Sequence, residues 1–406
     1  MIKKNINLHA LKQIQSLLVH SLNKQIMLEL KERSHKKVFA LIRAQGQISG
    51  AMLAKQTEMQ PSSLVYILRH LKEKSLICVS GYGNSTEKGG KRPVLWQVNP
   101  DYGNILGLEI MRNSIRAVMV NLAGDILMKV EKEFTPGRTE KTISRILTTI
   151  SEIITETSGL PGKLLYISLA VSGVVDPVTH RIIYSFGLKL EDFDLKIYVT
   201  DRFNIPAGII NDANAGALGE QWFNRGENFI KNILYIMYNP LAGGMGLGVV
   251  LNQKLYTGSN GIAGEIFSRV PSLKQIIEEK MHETDSNDIL LPVNRAIDEI
   301  QISDLYNYSR RGCKLSRSVL AGLSKQVAKE ISKITGLFDP ERITLGGDLS
   351  ICENLCCDEI MIVLKDLLEK YYPFRIRIPR VDYAKTKIFS AATGATALYL
   401  SDELTF

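Results

Sequence analysis

The stretch Ile105-Leu-Gly-Leu-Glu-Ile-Met111, continued across Arg112-Asn113-Ser114 by Ile115-Arg-Ala-Val-Met-Val120, decides the fold of most of this chain. Two apolar runs of strand length flank a short polar segment, which is typical of two consecutive strands. The sequence Leu122-Ala-Gly-Asp125 then predicts a turn into a third strand, Ile126 to Glu133.

The segment after these strands predicts a helix over Thr139 to Thr157 and an apolar strand over Leu164 to Ala170, which ends in Val171-Ser172-Gly173. Three strands, a helix and a further strand indicate an α/β domain with a mixed sheet. Near the other end of the chain, the basic stretch Phe374-Arg-Ile-Arg-Ile-Pro-Arg380 predicts an edge strand with a charged outer face.

Positive charge is concentrated in the first quarter of the chain. Residues up to Val98 contain 16 Lys+Arg against 5 Asp+Glu, a net charge of +11, whereas the remaining 308 residues contain 34 against 37, a net charge of −3. Such asymmetry indicates an anionic partner for the N-terminal segment alone. A solvated basic face is the alternative that charge alone leaves open.

The pattern of residues 36–73 predicts three short helices. The first runs from Lys36 to Ala44 and stops at Gly46, Ser49 caps the second, and Pro61 suits the first position of the third. The third helix buries one stripe, formed by Leu64, Ile67, Leu68 and Leu71. Its opposite face suits a recognition helix in the major groove, and we expect it to contact DNA through Ser62, Ser63, Tyr66 and Arg69.

Two strand-like runs, Leu76-Ile-Cys-Val79 and Val94-Leu-Trp-Gln-Val98, flank a glycine-rich basic loop. This arrangement predicts a wing whose Lys91 and Arg92 neutralise phosphates or enter the minor groove. Before these elements, an amphipathic helix is expected to be either a packing or dimerisation helix or a DNA-contacting arm, with Leu11, Ile14, Leu18 and Leu22 on one face.

The chain resembles the ROK family of repressors, open reading frames and sugar kinases. The resemblance rests on blocks that occur in order: Ile167-Ser-Leu-Ala-Val-Ser-Gly-Val-Val-Asp-Pro177, Ile210-Asn-Asp-Ala-Asn-Ala215, Ala242-Gly-Gly-Met-Gly-Leu-Gly-Val-Val250, Gly261-Ile-Ala-Gly-Glu-Ile266, Phe338-Asp-Pro-Glu-Arg-Ile-Thr-Leu-Gly-Gly347 and Thr393-Gly-Ala-Thr-Ala-Leu398. The preceding wing with Gly90-Lys-Arg-Pro93 is similar to that of the repressor branch, which includes repressors of the N-acetylglucosamine and xylose type.

The resemblance implies an α/β fold in which an N-terminal winged helix-turn-helix precedes a two-lobed, actin-like domain of the hexokinase and ribonuclease H kind. We expect the DNA-binding domain over residues 1–99. Lobe one is expected over 100–212 together with a C-terminal helix, 388–401, and lobe two over 213–387.

The resemblance also implies a sugar-binding cleft between the lobes, formed by Ser172, Gly173, Asn211, Asp212 and Glu265. Two carboxylates and an amide suit bidentate hydrogen bonding to adjacent hydroxyl groups. Glu265 has an alternative interpretation, as a helix N-cap or in an ion pair between the lobes.

Kinase activity is not expected, although Asp212 matches the family's catalytic aspartate. Family kinases have Asp-x-Gly-Gly-Thr in the first phosphate loop, whereas this chain has Glu109-Ile-Met-Arg-Asn-Ser114. Side chains at Met111 and Arg112 would occupy the space of the phosphate. The glycines of Ala242 to Gly248 serve either phosphate binding or only a tight hairpin. ATP is therefore not expected as a cofactor.

Zinc is not expected either. Many family members carry a His and a cysteine cluster after Ala-Gly-Glu, but here Ser268 stands in place of the His and no cysteine lies between Phe267 and Gly312. The nearby His282 lies in a charged helical stretch. The five cysteines of the whole chain indicate reduced, buried thiols rather than a metal site: Cys78, Cys313, Cys352, Cys356 and Cys357.

These observations predict a cytoplasmic transcriptional repressor that binds a palindromic operator as a homodimer or homotetramer and responds to a sugar. The N-terminus lacks the apolar core of a secretory signal, and no apolar run approaches the ~20 residues that span a bilayer, so no membrane partner is expected. Two alternatives stay open: an active sugar kinase with a fused DNA-binding domain, and a regulator controlled by a partner protein, with a vestigial cleft.

Overall fold

The structure of the protein is a computed structural model, which describes residues 33–84, 92–223, 230–266, 270–283, 296–372, 374 and 376–403. The chain divides between Asn99 and Pro100 into two compact units. None of the helices in these ranges is long and apolar enough to cross a membrane.

Within residues 33–84 and 92–99, the N-terminal unit combines three helices with a three-stranded antiparallel sheet of order β1-β3-β2. Its elements are α1 (33–45), β1 (Ile48–Ser49), α2 (Gly50–Thr57), α3 (Pro61–Glu73), β2 (Ile77–Tyr82) and β3 (Val94–Val98). The Ser49 hydroxyl caps α2 by accepting from the Met52 amide at 3.3 Å, and Pro61 begins α3. Both features agree with the sequence prediction.

The second unit contains two large sheets, and lobe one is built on the first of them. This five-stranded sheet has the order β11-β7-β4-β5-β6, and a small sheet, β10-β9-β8, lies in the same part of the chain. Lobe one comprises β4 (Asn104–Ile110), β5 (Ser114–Asn121), β6 (Ile126–Glu133), α4 (Thr139–Glu156), β7 (Leu164–Val171), β8 (Val174–Val175), β9 (Ile182–Ser185), β10 (Leu190–Phe193), α5 (Leu195–Phe203) and β11 (Ala207–Asn211).

Lobe two is built on a six-stranded sheet of order β14-β13-β12-β16-β17, with β15 also paired to β13. Its elements are β12 (Ile233–Tyr238), β13 (Met245–Leu251), β14 (Lys254–Leu255), β15 (Glu265–Ile266), α7 (Leu273–Glu283), α8 (Ile302–Arg310), α9 (Lys314–Phe338), β16 (Arg342–Leu345), α10 (Asn354–Tyr371) and β17 (Arg380–Tyr383). A buried apolar cluster unites these strands with α7 to α10.

Two helices connect the lobes and pack closely on each other: α6 (Asp212–Phe223) and α11 (Ser390–Leu398). Helix α6 lies against β12 and β13, whereas α11 lies against β4, β5 and β7. The approach requires glycine, because a Cβ on Gly219 would lie 2.7 Å from the Cα of Gly394. Helices α6 and α11 thus join the two sheets through their backbones.

The predicted strands and helices of lobe one agree with the structure to within one or two residues. The edge strand predicted over Phe374–Arg380 is wrong, because strand β17 begins only at Arg380. Pro379 stands directly before the strand, where its missing amide removes no hydrogen bond from the ladder. Strand β17 is nevertheless an edge strand of its sheet.

Candidate functional site

The candidate cleft lies at the carboxyl ends of three adjacent parallel strands of lobe one. Strands β4, β7 and β11 are in register at Ile110, Val171 and Asn211. Residues directly after these ends meet at one edge of the sheet, where ligands of open α/β sheets bind. The turn at Met111, the pair Ser172-Gly173 and the start of α6 therefore lie side by side.

Asn211 connects two of these segments. Its Nδ2 donates to the Gly173 carbonyl at 3.0 Å, and its Oδ1 accepts from the Asn214 amide at 2.9 Å. Gly173 has φ +117°, and a Cβ there would lie 2.2 Å from the Tyr184 carbonyl oxygen. Only glycine fits this position. Ser172 is half-buried beside Gly187, where a Cβ would lie 3.0 Å from the serine hydroxyl.

Asp212 is the first residue of α6, and its carboxylate accepts from the Ala213 amide at 2.8 Å. Burial raises the pKa of Asp212 to about 7, and the nearby charge of Glu265 adds to this effect. A helix N-terminus stabilises a carboxylate, so the raised pKa shows that desolvation outweighs the backbone contribution.

Glu265 brings lobe two to the same place. It lies in β15, opposite Gly246 of β13, and burial raises its pKa. The preceding loop packs on lobe one, because a Cβ on Gly261 would lie 2.3 Å from the carbonyl oxygen of Val175. The structure therefore brings all five predicted sugar-binding residues together. Glu265 lies in a strand rather than at a helix N-terminus, and no ion pair involves it within the described ranges.

The first phosphate loop is a turn without glycine between β4 and β5. The Met111 amide donates to the Ser114 carbonyl at 2.9 Å, and the Phe134 amide donates to the Asn113 carbonyl at 3.0 Å. None of Met111, Arg112 and Asn113 has a positive φ. The turn from Met111 to Asn113 is therefore formed by residues with side chains.

The second glycine-rich loop packs against its own lobe. Gly243 and Gly244 have φ of +73° and +86°. A Cβ on Gly243 would lie 2.4 Å from the Val270 carbonyl oxygen, and the Gly244 amide donates to that same oxygen at 3.0 Å. At Gly248 a Cβ would lie 2.1 Å from the Ala213 carbonyl oxygen. Close backbone contacts therefore account for Gly243 and Gly248.

A charged group that sequence reasoning missed lies beside Asp212. Glu109 is 1% exposed at the end of β4, and burial raises its pKa to about 8. Arg116 approaches Glu109 at 3.9 Å, Glu131 at 3.1 Å and Asp348 at 3.6 Å. The sequence Ile105–Ile110 could have indicated this group, because Glu109 is the lone carboxylate of an apolar strand and such a carboxylate needs a buried partner.

The predicted DNA-contacting face of α3 is exposed, opposite a buried apolar stripe. Ser62, Ser63, Tyr66 and Arg69 are all exposed, whereas the stripe of Leu64, Ile67, Leu68 and Leu71 is buried. Arg92 is exposed as well. Lys91, Ser268 and the amphipathic helix predicted around residues 11–22 lie outside the described residues.

Two further features of this face were not anticipated. His35 of α1 contacts the rings of Tyr66 and His70, with centroid distances of 6.2 and 4.9 Å. A cavity of about 400 Å³ opens beside them and is lined by Ser34, His35, Ser62, Ser63, Tyr66 and Ile67.

The cysteines form no disulfide. Four are buried and Cys78 is half-buried. Within the described ranges, no group of three or more His, Cys, Asp or Glu side chains could hold a metal ion. The absence of zinc stays a prediction.

Comparison with known proteins gives matches over nearly the whole chain. The model of the ROK family matches residues 105–267 and 278–402. The xylose repressor of Caldicellulosiruptor bescii is 24% identical over 384 residues, which is 88% of this chain and 93% of the relative.

Among solved structures, a ROK family transcriptional regulator described as a homologue of the Escherichia coli MLC protein covers 91% of this chain and 97% of its own, with 20% identity and a TM-score of 0.68. A ROK family glucokinase of Streptomyces griseus, solved with glucose and AMPPNP, covers 73% of this chain and 99% of its own, with 21% identity and a TM-score of 0.62.

Proposed function

The chain belongs to the ROK family, and from this premise we propose that it is a transcriptional repressor whose DNA binding responds to a sugar held in a kinase-like cleft. The observation that carries the proposal is the extent of the similarity. The repressor relative and the regulator structure match 88% and 91% of the chain, whereas the glucokinase matches 73%. The part of the chain beyond the kinase-like domain is thus shared with regulators.

The N-terminal unit supplies the DNA-binding surface in this proposal. Its three helices and antiparallel sheet suit a winged helix-turn-helix, with α3 as the recognition helix. We assign base contacts to Ser62, Ser63, Tyr66 and Arg69, and phosphate contacts to Lys91 and Arg92. The net charge of +11 over residues 1–98 supports this assignment.

The cleft supplies the sensor. The charge of Glu265 in lobe two acts on Asp212, and the Asn211 side chain bonds the Gly173 carbonyl next to Asp212. Vicinal hydroxyls of a sugar would donate to the two carboxylates, which relieves their mutual repulsion. Because both lobes contribute groups that bind the sugar, a bound sugar favours one angle between the two lobes.

We propose that no phosphoryl transfer accompanies this binding. The turn that corresponds to the first phosphate loop carries side chains at Met111 and Arg112, and close backbone contacts account for Gly243 and Gly248 of the second loop. No ATP and no zinc are expected to bind. A preparation that retained stoichiometric zinc after chelator treatment would contradict the second expectation.

One observation favours kinase activity as the rival function. Asp212 is a buried carboxyl with a pKa near 7, which suits a general base. Turnover of ATP in the presence of a panel of hexoses and pentoses decides the question. A rate that Asp212→Asn abolishes would establish a kinase, and we expect none.

Operator binding is tested by selection of bound duplexes from a random library by the full chain. We expect a palindromic sequence, because a symmetric dimer presents two recognition helices. The double variant Ser62→Ala, Ser63→Ala should lose sequence preference but keep salt-dependent binding. Recovery of the same sequence by that variant, or no enriched sequence at all, would contradict DNA reading by α3.

The sugar is sought with the same protein by thermal unfolding against free hexoses, pentoses, N-acetylated amino sugars and their phosphates, and ATP with magnesium. A ligand at 100 times its Kd adds about 2.7 kcal/mol to the free energy of unfolding. One sugar that raises the unfolding temperature and also releases the selected operator would establish the cleft as the sensor. A response to none of them, with operator binding intact, would favour a regulator controlled by a partner protein.

A further inference from the structure

Arg116 stands at the centre of a row of charges that crosses the sheet of lobe one. It pairs in register with Glu109 of β4 on one side and with Glu131 of β6 on the other. Its Nε donates to Glu131 at 3.1 Å, and its side chain is only 13% exposed. The cross-strand carboxylate of Glu131, which has the opposite charge, holds the guanidinium in one orientation.

The same guanidinium reaches lobe two. Its Nη2 lies 3.6 Å from a carboxylate oxygen of Asp348, and its Nη1 donates to the carbonyl of Ile388 at 3.2 Å. Asp348 lies in a 3-10 helix, Gly347–Cys352, that follows β16, so it belongs to lobe two. The Gly347 amide donates to the Ser390 hydroxyl of α11 at 3.3 Å. The ion pair therefore crosses between the lobes beside the helix that connects them.

Glu109 places this ion pair next to the sugar-binding carboxylates. It projects onto the face of the sheet that α11 covers, since Gly107 on the same face would bring a Cβ to 2.1 Å from the Ala392 carbonyl oxygen. Its Oε2 is buried without a hydrogen-bond partner. The charges of Asp212 and Asp348 both act on Glu109. Glu109 thus lies between the sugar site and the ion pair.

We infer that Arg116, held by Glu109 and Glu131, ties lobe one to lobe two through Asp348 and thereby sets the closure angle that a sugar must change. The inference rests on the proposed sugar-binding function of the cleft. A cation of lobe one thus joins the lobes beside α11.

The ion pair between Arg116 and Asp348 can hold the lobes together because it is partly desolvated. Removal of one partner from a buried pair leaves an uncompensated charge, whereas an exposed pair contributes little. Arg116 also uses a planar fork that a lysine cannot reproduce. Of its three carboxylate partners, only Asp348 lies in lobe two, so the loss of that one partner isolates the contribution between the lobes.

The test measures the distance between the lobes by pulsed electron spin resonance, in the full chain without DNA or sugar. Spin labels are placed at Thr148→Cys on α4 and Asp366→Cys on α10, both exposed positions. Cys78→Ser removes the half-buried thiol, and the remaining four cysteines are buried. Asp348→Asn removes the charge in lobe two, and Asp192→Asn, which removes the Arg181–Asp192 ion pair within lobe one, is the matched control.

We expect Asp348→Asn to lengthen the mean distance, broaden its distribution and raise the ratio of open to closed conformers roughly tenfold, which corresponds to about 1.4 kcal/mol. The Asp192→Asn distribution should match that of the parent. If Asp348→Asn fails to fold, Arg116→Lys carries the test, and the same direction is expected. Distances unchanged in the test variant, or changed equally by the control, would overturn the inference. Operator selection with unlabelled Asp348→Asn tests DNA binding separately. Enrichment of the same sequence as with the parent would show that DNA binding is intact, whatever the distances between the lobes.

Discussion

Replacement of Asp212 by Asn should stabilise the protein at alkaline pH and leave its stability unchanged in acid. The Asn Oδ1 can still accept from the Ala213 amide, so the helix start is preserved, and only the charge is removed. The pKa of Asp212 is about 7 in the folded protein, against an ordinary value of 3.8. Between these values the folded state holds a proton that the unfolded state has lost.

The sign follows from this difference. The stability of the parent falls as pH rises from about 4 to about 7, by up to ~1.4 kcal/mol for each pH unit, and is constant above that range. The cumulative difference is of the order of 2–4 kcal/mol, because relaxation in real proteins reduces the full value. Asp212→Asn lacks this penalty, so the variant should be more stable than the parent by about that amount at pH 8.

Urea unfolding followed by circular dichroism at pH 4.5, 6, 7 and 8 measures the difference. Asp101→Asn, an exposed carboxylate, controls for the general effect of one charge. If the difference in unfolding free energy between Asp212→Asn and the parent does not change with pH, Asp212 is not a desolvated carboxylate. The same conclusion follows if the variant is less stable than the parent at pH 8. The same variant should lose sugar binding by tenfold or more, since hydrogen bonds to charged groups contribute about 1.5–3 kcal/mol.

Three further results are expected. Gly173→Ala should lower the free energy of unfolding by about 2–5 kcal/mol in urea titrations, because Gly173 has φ +117° and contacts Tyr184. The control Gly159→Ala, where a Cβ meets nothing within 4 Å, should change it little. Equal losses in both variants would refute the close contact at Gly173. Arg69→Ala should weaken operator binding by about 1–3 kcal/mol in gel-shift titrations, whereas Val65→Ala, exposed on the same helix, should not; retained affinity would remove Arg69 from the base contacts. Arg92→Ala should lower the slope of log affinity against log salt by about one, and an unchanged slope would exclude a phosphate contact.

Local sequence patterns predicted the secondary structure well where each pattern has one physical solution. Proline at the start of α3, a serine cap on α2 and the apolar stripe of α3 all act within one or two turns of chain. Strand β1 was missed because two residues carry no periodicity, and it forms only by pairing with Trp96 and Leu95 of β3. The strand expected at Phe374 was wrong: apolar and basic residues alternate before Pro379, which is typical of a strand, but β17 begins only after this proline.

The candidate site was predictable only in part. Ser172, Gly173, Asn211 and Asp212 follow strands that pair in register, so their proximity follows from a parallel sheet. Glu265 was placed by family resemblance. The partnership of Arg116 with Asp348 joins residues 232 positions apart through the packing of two lobes, and no local pattern in either segment encodes it.

The glycines of a kinase-like pattern do not separate a sensor from an enzyme. A Cβ on Gly264 would lie 1.8 Å from the Leu247 carbonyl oxygen, and one on Gly346 would lie 1.9 Å from the Tyr235 hydroxyl oxygen. These glycines are needed for the fold whatever the cleft binds. The informative positions are those that packing does not constrain. At the turn of Met111 to Asn113 nothing requires glycine, and none is present. At Asp212 burial makes the carboxylate unfavourable, and the carboxylate is nevertheless there. A costly charge that is raised further by the charge of Glu265 is accounted for by a ligand that donates hydrogen bonds to both carboxylates, and a sugar supplies them without any phosphate.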